Sequence, residues 1–218
     1  MILDPYFYVV AVLSVFFHGM GKAGFGLGLP ILAIPLMSIF IPPLQALAIL
    51  VVPLIFMDLV TIRRFWSLWD LELVKAIIPL TFFGVIIGTI TYSFLSDNSI
   101  RIILGVIACA FGLEYFINKS KKIGKSSKTS GTFWSTLAGF TSFTIHAGGL
   151  PLSFYLLPMR LDRRKYVATL AIVFLALNLF KMIPYAYFGQ INFENLLTSL
   201  LLLPLAPIGV YFGAYLTE

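Results

Sequence analysis

The chain carries a glycine-rich break inside an apolar stretch, and it carries that break twice. The first copy reads Gly19-Met20-Gly21-Lys22-Ala23-Gly24-Phe25-Gly26-Leu27-Gly28-Leu29-Pro30. The second reads Gly139-Phe140-Thr141-Ser142-Phe143-Thr144-Ile145-His146-Ala147-Gly148-Gly149-Leu150-Pro151. The arms of the first copy, at 5–18 and 26–39, are expected to run about 14 residues each. That is short of the roughly 20 residues that carry a helix across a ~30 Å hydrocarbon core. Irregular backbone at membrane depth is tolerated only where it is buried in protein or lines a watery cavity. Paired broken segments in two related halves are the sequence sign of a transporter's binding site.

Composition decides the solvent. Of 218 residues, 60% are hydrophobic and 11% charged, where soluble domains run about 45–50% and about 25%. A globule of this size cannot hide so much apolar surface from water. The apolar runs are continuous rather than alternating, so the spans are helices and a β-barrel is excluded. The net charge of +6 does not imply nucleic acid, because the cations are bunched. Lys119, Lys121, Lys122, Lys125 and Lys128 form one group, Arg160, Arg163, Arg164 and Lys165 a second, and Arg63 and Arg64 a third. Short basic loops between apolar spans mark the cytoplasmic side. The single cysteine, Cys109, rules out an internal disulfide framework or a cysteine-rich metal site. No cofactor is expected. The N-terminus lacks the basic region of a cleaved signal peptide, so the first apolar segment is expected to stay in the mature protein.

The chain is expected to be an all-α integral membrane protein built as an inverted-topology repeat. Each half is a glycine-broken re-entrant helical hairpin followed by full transmembrane helices. Residues 1–118 form the first repeat, 119–131 a basic cytoplasmic linker, and 132–218 a second, incomplete repeat. Full spans are expected at about 43–62, 74–94 and 99–118 in the first half. In the second half they fall at about 166–188 and 195–216, after a broken stretch at 132–158. Gly28-Leu29-Pro30 matches Gly149-Leu150-Pro151. Pro79-Leu80, Gly84-Val85 and Gly88 recur with the same spacing as Pro204-Leu205, Gly209-Val210 and Gly213. A re-entrant hairpin returns to its own side, so each complete repeat crosses three times and the second copy is inverted. This places the N-terminus outside and every strongly basic loop, the linker included, in the cytoplasm of a multi-pass cell-membrane protein. The counterpart of 99–118 is expected to be missing from the second repeat.

The chemistry-bearing residues gather at the breaks. Gly19-x-Gly21-x-x-Gly24 matches the dinucleotide fingerprint in form, but its flanks are membrane segments rather than a βαβ unit. Close packing of backbones is the better use of these glycines. A returning arm begins with unpaired N–H groups and a positive dipole end, so two apices meeting at mid-membrane make an anion cradle. Gly26, Gly28, Gly148 and Gly149 would supply it, with Lys22 adding charge. His18 and His146, the only histidines, either serve function or hydrogen-bond a loop carbonyl and fix a turn. Asp58 lies deep in its span, where a lone carboxylate costs about 2.5–3.5 kcal/mol. It is expected to face inward, as a proton site or as a partner of Lys22 or Lys181. Its repeat-related position is about Asn178. Asn178 and Lys181 share a helix face, although Lys181 could instead reach the outer interface. Glu114 reads as an interface or salt-bridge residue. No nucleophile elbow, zinc-protease pair or phosphate loop appears, so an enzyme is not expected.

Gly24-Phe25-Gly26-Leu27-Gly28-Leu29-Pro30, Ala138-Gly139-Phe140 with His146-Ala147-Gly148-Gly149-Leu150-Pro151, and Asn178-Leu179-Phe180-Lys181 with Tyr187-Phe188-Gly189 resemble the TauE/SafE family of sulfite exporters and sulfonate permeases. The resemblance covers nearly the whole chain. It implies an inner-membrane carrier for sulfite, sulfonates or related organic anions, coupled to a proton gradient. On that reading Lys22, Gly26, Gly28, His146, Gly148, Gly149, Asn178 and Lys181 are the substrate-binding candidates. His18, Asp58 and His146 are the proton-coupling candidates, since histidine titrates near working pH. The partners are a small anion, the lipid bilayer and, as a further option, a second copy of the chain. A channel-like pore and a non-transporting membrane assembly subunit are the alternatives.

Overall fold

In the computed structural model the described residues are 2, 4–25, 33–96, 98–103, 105, 106, 109 and 127–216. Every regular element among them is helical. α1 (Pro5–Met20) starts where Asp4 accepts the Tyr6 N–H at 2.9 Å and Pro5 takes the first helical position, a cap and a residue suited to that site. It runs straight into a π-helical turn, Gly21–Phe25. Pro5–Ala23 is thus long and apolar enough to cross a membrane. This corrects the expected 14-residue first arm: Gly19 lies within α1 and Gly21 and Gly24 within the π turn, and none of the three ends the helix. The residues that follow, Gly26 and Gly28 among them, lie outside the described residues, and α2 (Ala33–Met37) comes next.

α3 (Pro43–Arg64) and α4 (Leu71–Tyr92) match the expected spans. Residues 98–103 are helical. Most of the expected 99–118 span, Glu114 included, and residues 119–126 of the linker lie outside the described residues. α5 (Lys128–Ile145) is capped by Ser127 and ends at His146, whose φ of 55° is left-handed. α6 (Gly149–Leu156) follows and tightens into a 3-10 turn, Leu157–Met159. The chain doubles back here: Trp134 of α5 meets Phe154 of α6 with ring centroids 4.8 Å apart. α7 (Arg163–Tyr187) is capped by Asp162. The last apolar stretch bends at Pro204 into α8 (Phe193–Leu202) and α9 (Leu205–Tyr215), and Phe193–Tyr215 together has the length of a span.

Among the five candidate spans α3 is the most enclosed and α4 the least. α3 and α7 run antiparallel. Asp70, just past α3, meets Lys165 and Thr169, while Asp58 within α3 meets Asn178. Pro53 inside α3 has no N–H, so the Ile49 carbonyl loses its helical partner. The Ser199 hydroxyl of α8 donates to that carbonyl at 2.8 Å.

Two helix contacts are closer than side chains allow. A Cβ on Gly84 of α4 would lie 2.0 Å from the Thr136 carbonyl oxygen of α5. One on Gly139 of α5 would lie 1.9 Å from the Thr81 oxygen. In the same manner α1 meets α9: a Cβ on Gly19 would come within 3.0 Å of the Gly209 Cα, and one on Gly213 within 2.4 Å of the Met20 oxygen. Each helix carrying the repeated Gly-x-x-x-Gly pair therefore packs on the first arm of the other half's break. α4 turns Phe83, Ile86 and Ile90 outward on its opposite side, as a lipid-facing surface would be.

Candidate functional site

α7 builds one wall of a cavity of about 350 Å³. Arg163, Tyr166, Leu170, Phe174, Asn178 and Lys181 all line it. Their spacing keeps them on one face, and 18 residues at 1.5 Å carry that face about 27 Å along the helix. α3 contributes Leu54, Asp58 and Thr61, the end of α1 and the π turn contribute His18, Gly21 and Lys22, and the second break contributes Ser142, His146, Ala147, Gly149 and Leu150. Arg160 and Arg163 stand at one end and Lys181 near the other. Beyond Lys181 the buried ring of Tyr185 lies over Phe143, centroids 5.1 Å apart, and its hydroxyl donates to the Phe143 carbonyl at 2.6 Å.

The floor of the cavity holds two lysines in contrasting settings. Lys22 Nζ donates to Asp58 Oδ1 and, at 3.4 Å, to the Leu54 carbonyl. It also lies 5.4 Å from the centre of the Phe174 ring, within cation–π range. The other Asp58 oxygen accepts from Asn178 Nδ2 at 2.8 Å, so this buried carboxylate is fully engaged. Lys181 is 0% exposed. Its ammonium has three hydrogens, and three acceptors stand 3.0 Å away: the Ser142 carbonyl, the Ser142 hydroxyl and His146 Nδ1. None of these carries a charge.

Hydrogen-bond partners bear on the tautomer of His146. Its Nε2 is 3.0 Å from the Leu47 carbonyl, which can only accept. Nδ1 lies 3.2 Å from the Ser142 carbonyl and 3.0 Å from Lys181 Nζ, and a proton on Nε2 is the arrangement in which Nδ1 accepts from Lys181. The left-handed conformation of His146 at the end of α5 aims the ring between α3 and α7. His18 is buried at 3% exposure, and its Nδ1 meets no protein partner among the described residues.

Of the residues singled out by sequence, Lys22, His18, Asp58, His146, Gly149, Asn178 and Lys181 line this one cavity. Lys181 points inward, which decides between its two readings. Gly148 stands behind the wall, where a Cβ would lie 2.7 Å from the Ala138 oxygen and 3.2 Å from Phe174. Gly26 and Gly28 lie outside the described residues. Sequence reasoning passed over Ser142, Phe174, Arg160 and Arg163. The two arginines had been read for topology alone, and Ser142 was in plain view inside the second break. Among the described residues no group of His, Cys, Asp and Glu is arranged to hold a metal.

Counting the lining residues, four basic side chains (Lys22, Arg160, Arg163 and Lys181) face one carboxylate, Asp58. Five apolar helices of spanning length make this a multi-pass membrane protein, and three of them, α1, α3 and α7, supply basic and polar side chains to one largely apolar cavity, as in the transporter class. The chain belongs to the sulfite exporter TauE/SafE family, whose model matches residues 11–218. That family consists of membrane transporters rather than enzymes. No match was found among curated proteins or among solved structures.

Proposed function

We propose that this protein is a secondary carrier that moves a small anion, sulfite or an organosulfonate, across the cell membrane by alternating access with proton coupling. The observation that carries the reading is Lys181. A fully buried lysine in a membrane-spanning bundle, hydrogen-bonded by neutral acceptors only, has no carboxylate in contact when it is protonated, and a buried charge without one is costly. An anion in the adjoining cavity would provide it. Lys22, Asn178, His146 and the start of α6 at Gly149 surround the same space, and His18, whose Nδ1 has no partner among the described residues, also lines it. Membership in a family named for sulfite export supports the substrate class. Arg160 and Arg163 at the mouth would raise the local anion concentration.

The inverted repeat belongs to this reading. Asp58 and Asn178, 120 positions apart, touch each other, and contact between equivalent positions is what a two-fold axis between them produces. The reciprocal packing of α4 on α5 and α9 on α1 follows the same pattern. The repeats then divide at 1–118 and 132–218 with 119–131 as the linker. The positive-inside rule puts the Arg160–Lys165 end, and the cavity mouth, in the cytoplasm.

The test is sulfite and sulfoacetate flux into proteoliposomes, with and without a pH gradient. Saturable, gradient-dependent flux is expected from the wild type. In Lys22→Ala it should fall by at least tenfold. Non-saturating flux would instead indicate a pore, and silence towards a broad anion panel would remove the carrier reading.

A further inference from the structure

Lys22 faces the cavity but already has an anion, Asp58. A substrate that uses Lys22 must therefore take it from a carboxylate of this chain. Once deprived of Lys22, Asp58 would be a buried charge in a membrane interior hydrogen-bonded by the Asn178 amide alone, and breaking one side of a buried ion pair is strongly destabilising. A proton removes that difficulty. A protonated Asp58 keeps its bond from Asn178 and gives up its hold on Lys22.

Resting on the carrier reading above, we infer that Asp58 is an internal competitor of the substrate, so that each anion bound at Lys22 brings one proton onto Asp58. One negative charge at Lys22 is exchanged for another, and the proton makes the exchange balance. Coupling is then built into the binding site and needs no separate proton path.

The groups facing Asp58 leave it as the residue for this exchange. The π turn contributes Lys22 and α1 contributes His18. α7 contributes Asn178 and Lys181, with Tyr166 and Arg163 further along the same wall. The second break contributes His146, whose two nitrogens are committed to Leu47 and Lys181. On α3 itself Arg63 and Arg64 lie beyond Asp58, and Arg64 is held over the Tyr211 ring of α9 at 5.5 Å. α8 carries Glu194 beside Asn195, which meets Gln45 at the far end of α3. α2 (Ala33–Met37) offers no titratable group. Asp58 is the one carboxylate among the residues lining the cavity.

The experiment is calorimetric binding of methanesulfonate, whose charge does not change near neutral pH, to the full chain in nanodiscs between pH 5.5 and 8. Repeating it in buffers of different ionisation enthalpy counts the protons taken up. In the wild type the affinity should rise as pH falls, approaching about tenfold per pH unit, with one proton taken up per anion. In Asp58→Asn, nearly isosteric and permanently uncharged, the affinity should be pH-independent and at least equal to that of the wild type at pH 8. Binding by the wild type that ignores pH, or an Asp58→Asn protein that retains the slope, overturns the inference while leaving the carrier reading intact. If the wild type neither binds methanesulfonate nor moves sulfite, the carrier reading fails and this inference with it. If Asp58→Asn does not fold, the same count in His18→Gln decides: uptake that persists there supports Asp58, and uptake that is lost there overturns the inference.

Discussion

Ser199 shows how a single hydroxyl can be tied to a distant proline. Pro53 frees the Ile49 carbonyl inside the most enclosed helix of the bundle, and Ser199 Oγ is the donor that reaches it. An unsatisfied buried carbonyl costs about 1–3 kcal/mol. Ser199→Ala should therefore lower the thermal unfolding midpoint in detergent by an amount equivalent to that range, without altering anion affinity. Both residues are visible in the sequence, but nothing in their spacing connects them. The same holds for Lys181. Its place on one face with Asn178 could be read from periodicity, whereas the Ser142 and His146 acceptors that draw it inward come from another element. Asp58 was legible as an inward-facing carboxylate because the alternative, exposure to lipid, is too costly. Its choice of Lys22 over Lys181 depended on the π turn, which places Lys22 against α3.

At the scale of elements, apolar length put spans at about 43–62, 74–94 and 166–188, within about three residues of the helices at Pro43–Arg64, Leu71–Tyr92 and Arg163–Tyr187. The first arm was misjudged because glycine permits reversal without requiring it. A π turn accommodates Gly21 and Gly24 while the helix continues. Gly84 and Gly139 serve a different purpose, the approach of two backbones. Gly139→Ala would drive a methyl into the Thr81 carbonyl, and overpacking of this kind costs typically 1–3 kcal/mol, at times more. We expect the upper end of that range, because the obstacle is backbone and cannot swing aside. Gly105→Ala, where a Cβ meets nothing within 4 Å among the described residues, is the control. Comparing the two unfolding midpoints checks the account.

At the scale of the molecule, one ion pair fastens the end of α4 to α7. Asp70 caps α4 through the Leu73 N–H at 3.1 Å and pairs with Lys165 at 2.7 Å. The Lys165 ammonium, with help from the Leu73 N–H, holds the Asp70 carboxyl below the usual carboxylate range. A carboxyl depressed in the folded state adds stability above its unfolded pKa, and that stability is lost as pH falls through the folded value. The wild type should lose stability on acidification below the ordinary carboxylate range by a margin that Asp70→Asn does not show. The measurement is the unfolding midpoint against pH for the two proteins. The pair is partly exposed, so added salt should shrink the margin.

The interlocked glycine contacts also determine where such a molecule can flex. α4 is bound to α5 and α9 to α1, so each stiff body joins a helix that precedes residues 119–126 to one that follows them. The cavity takes His18 from one of these bodies and Ser142 from the other, with α3 and α7 completing its walls. A crosslink joining α4 to α5 should leave transport untouched, while one joining α4 to α9 should arrest it. The two halves of the gene are not the two halves of the machine.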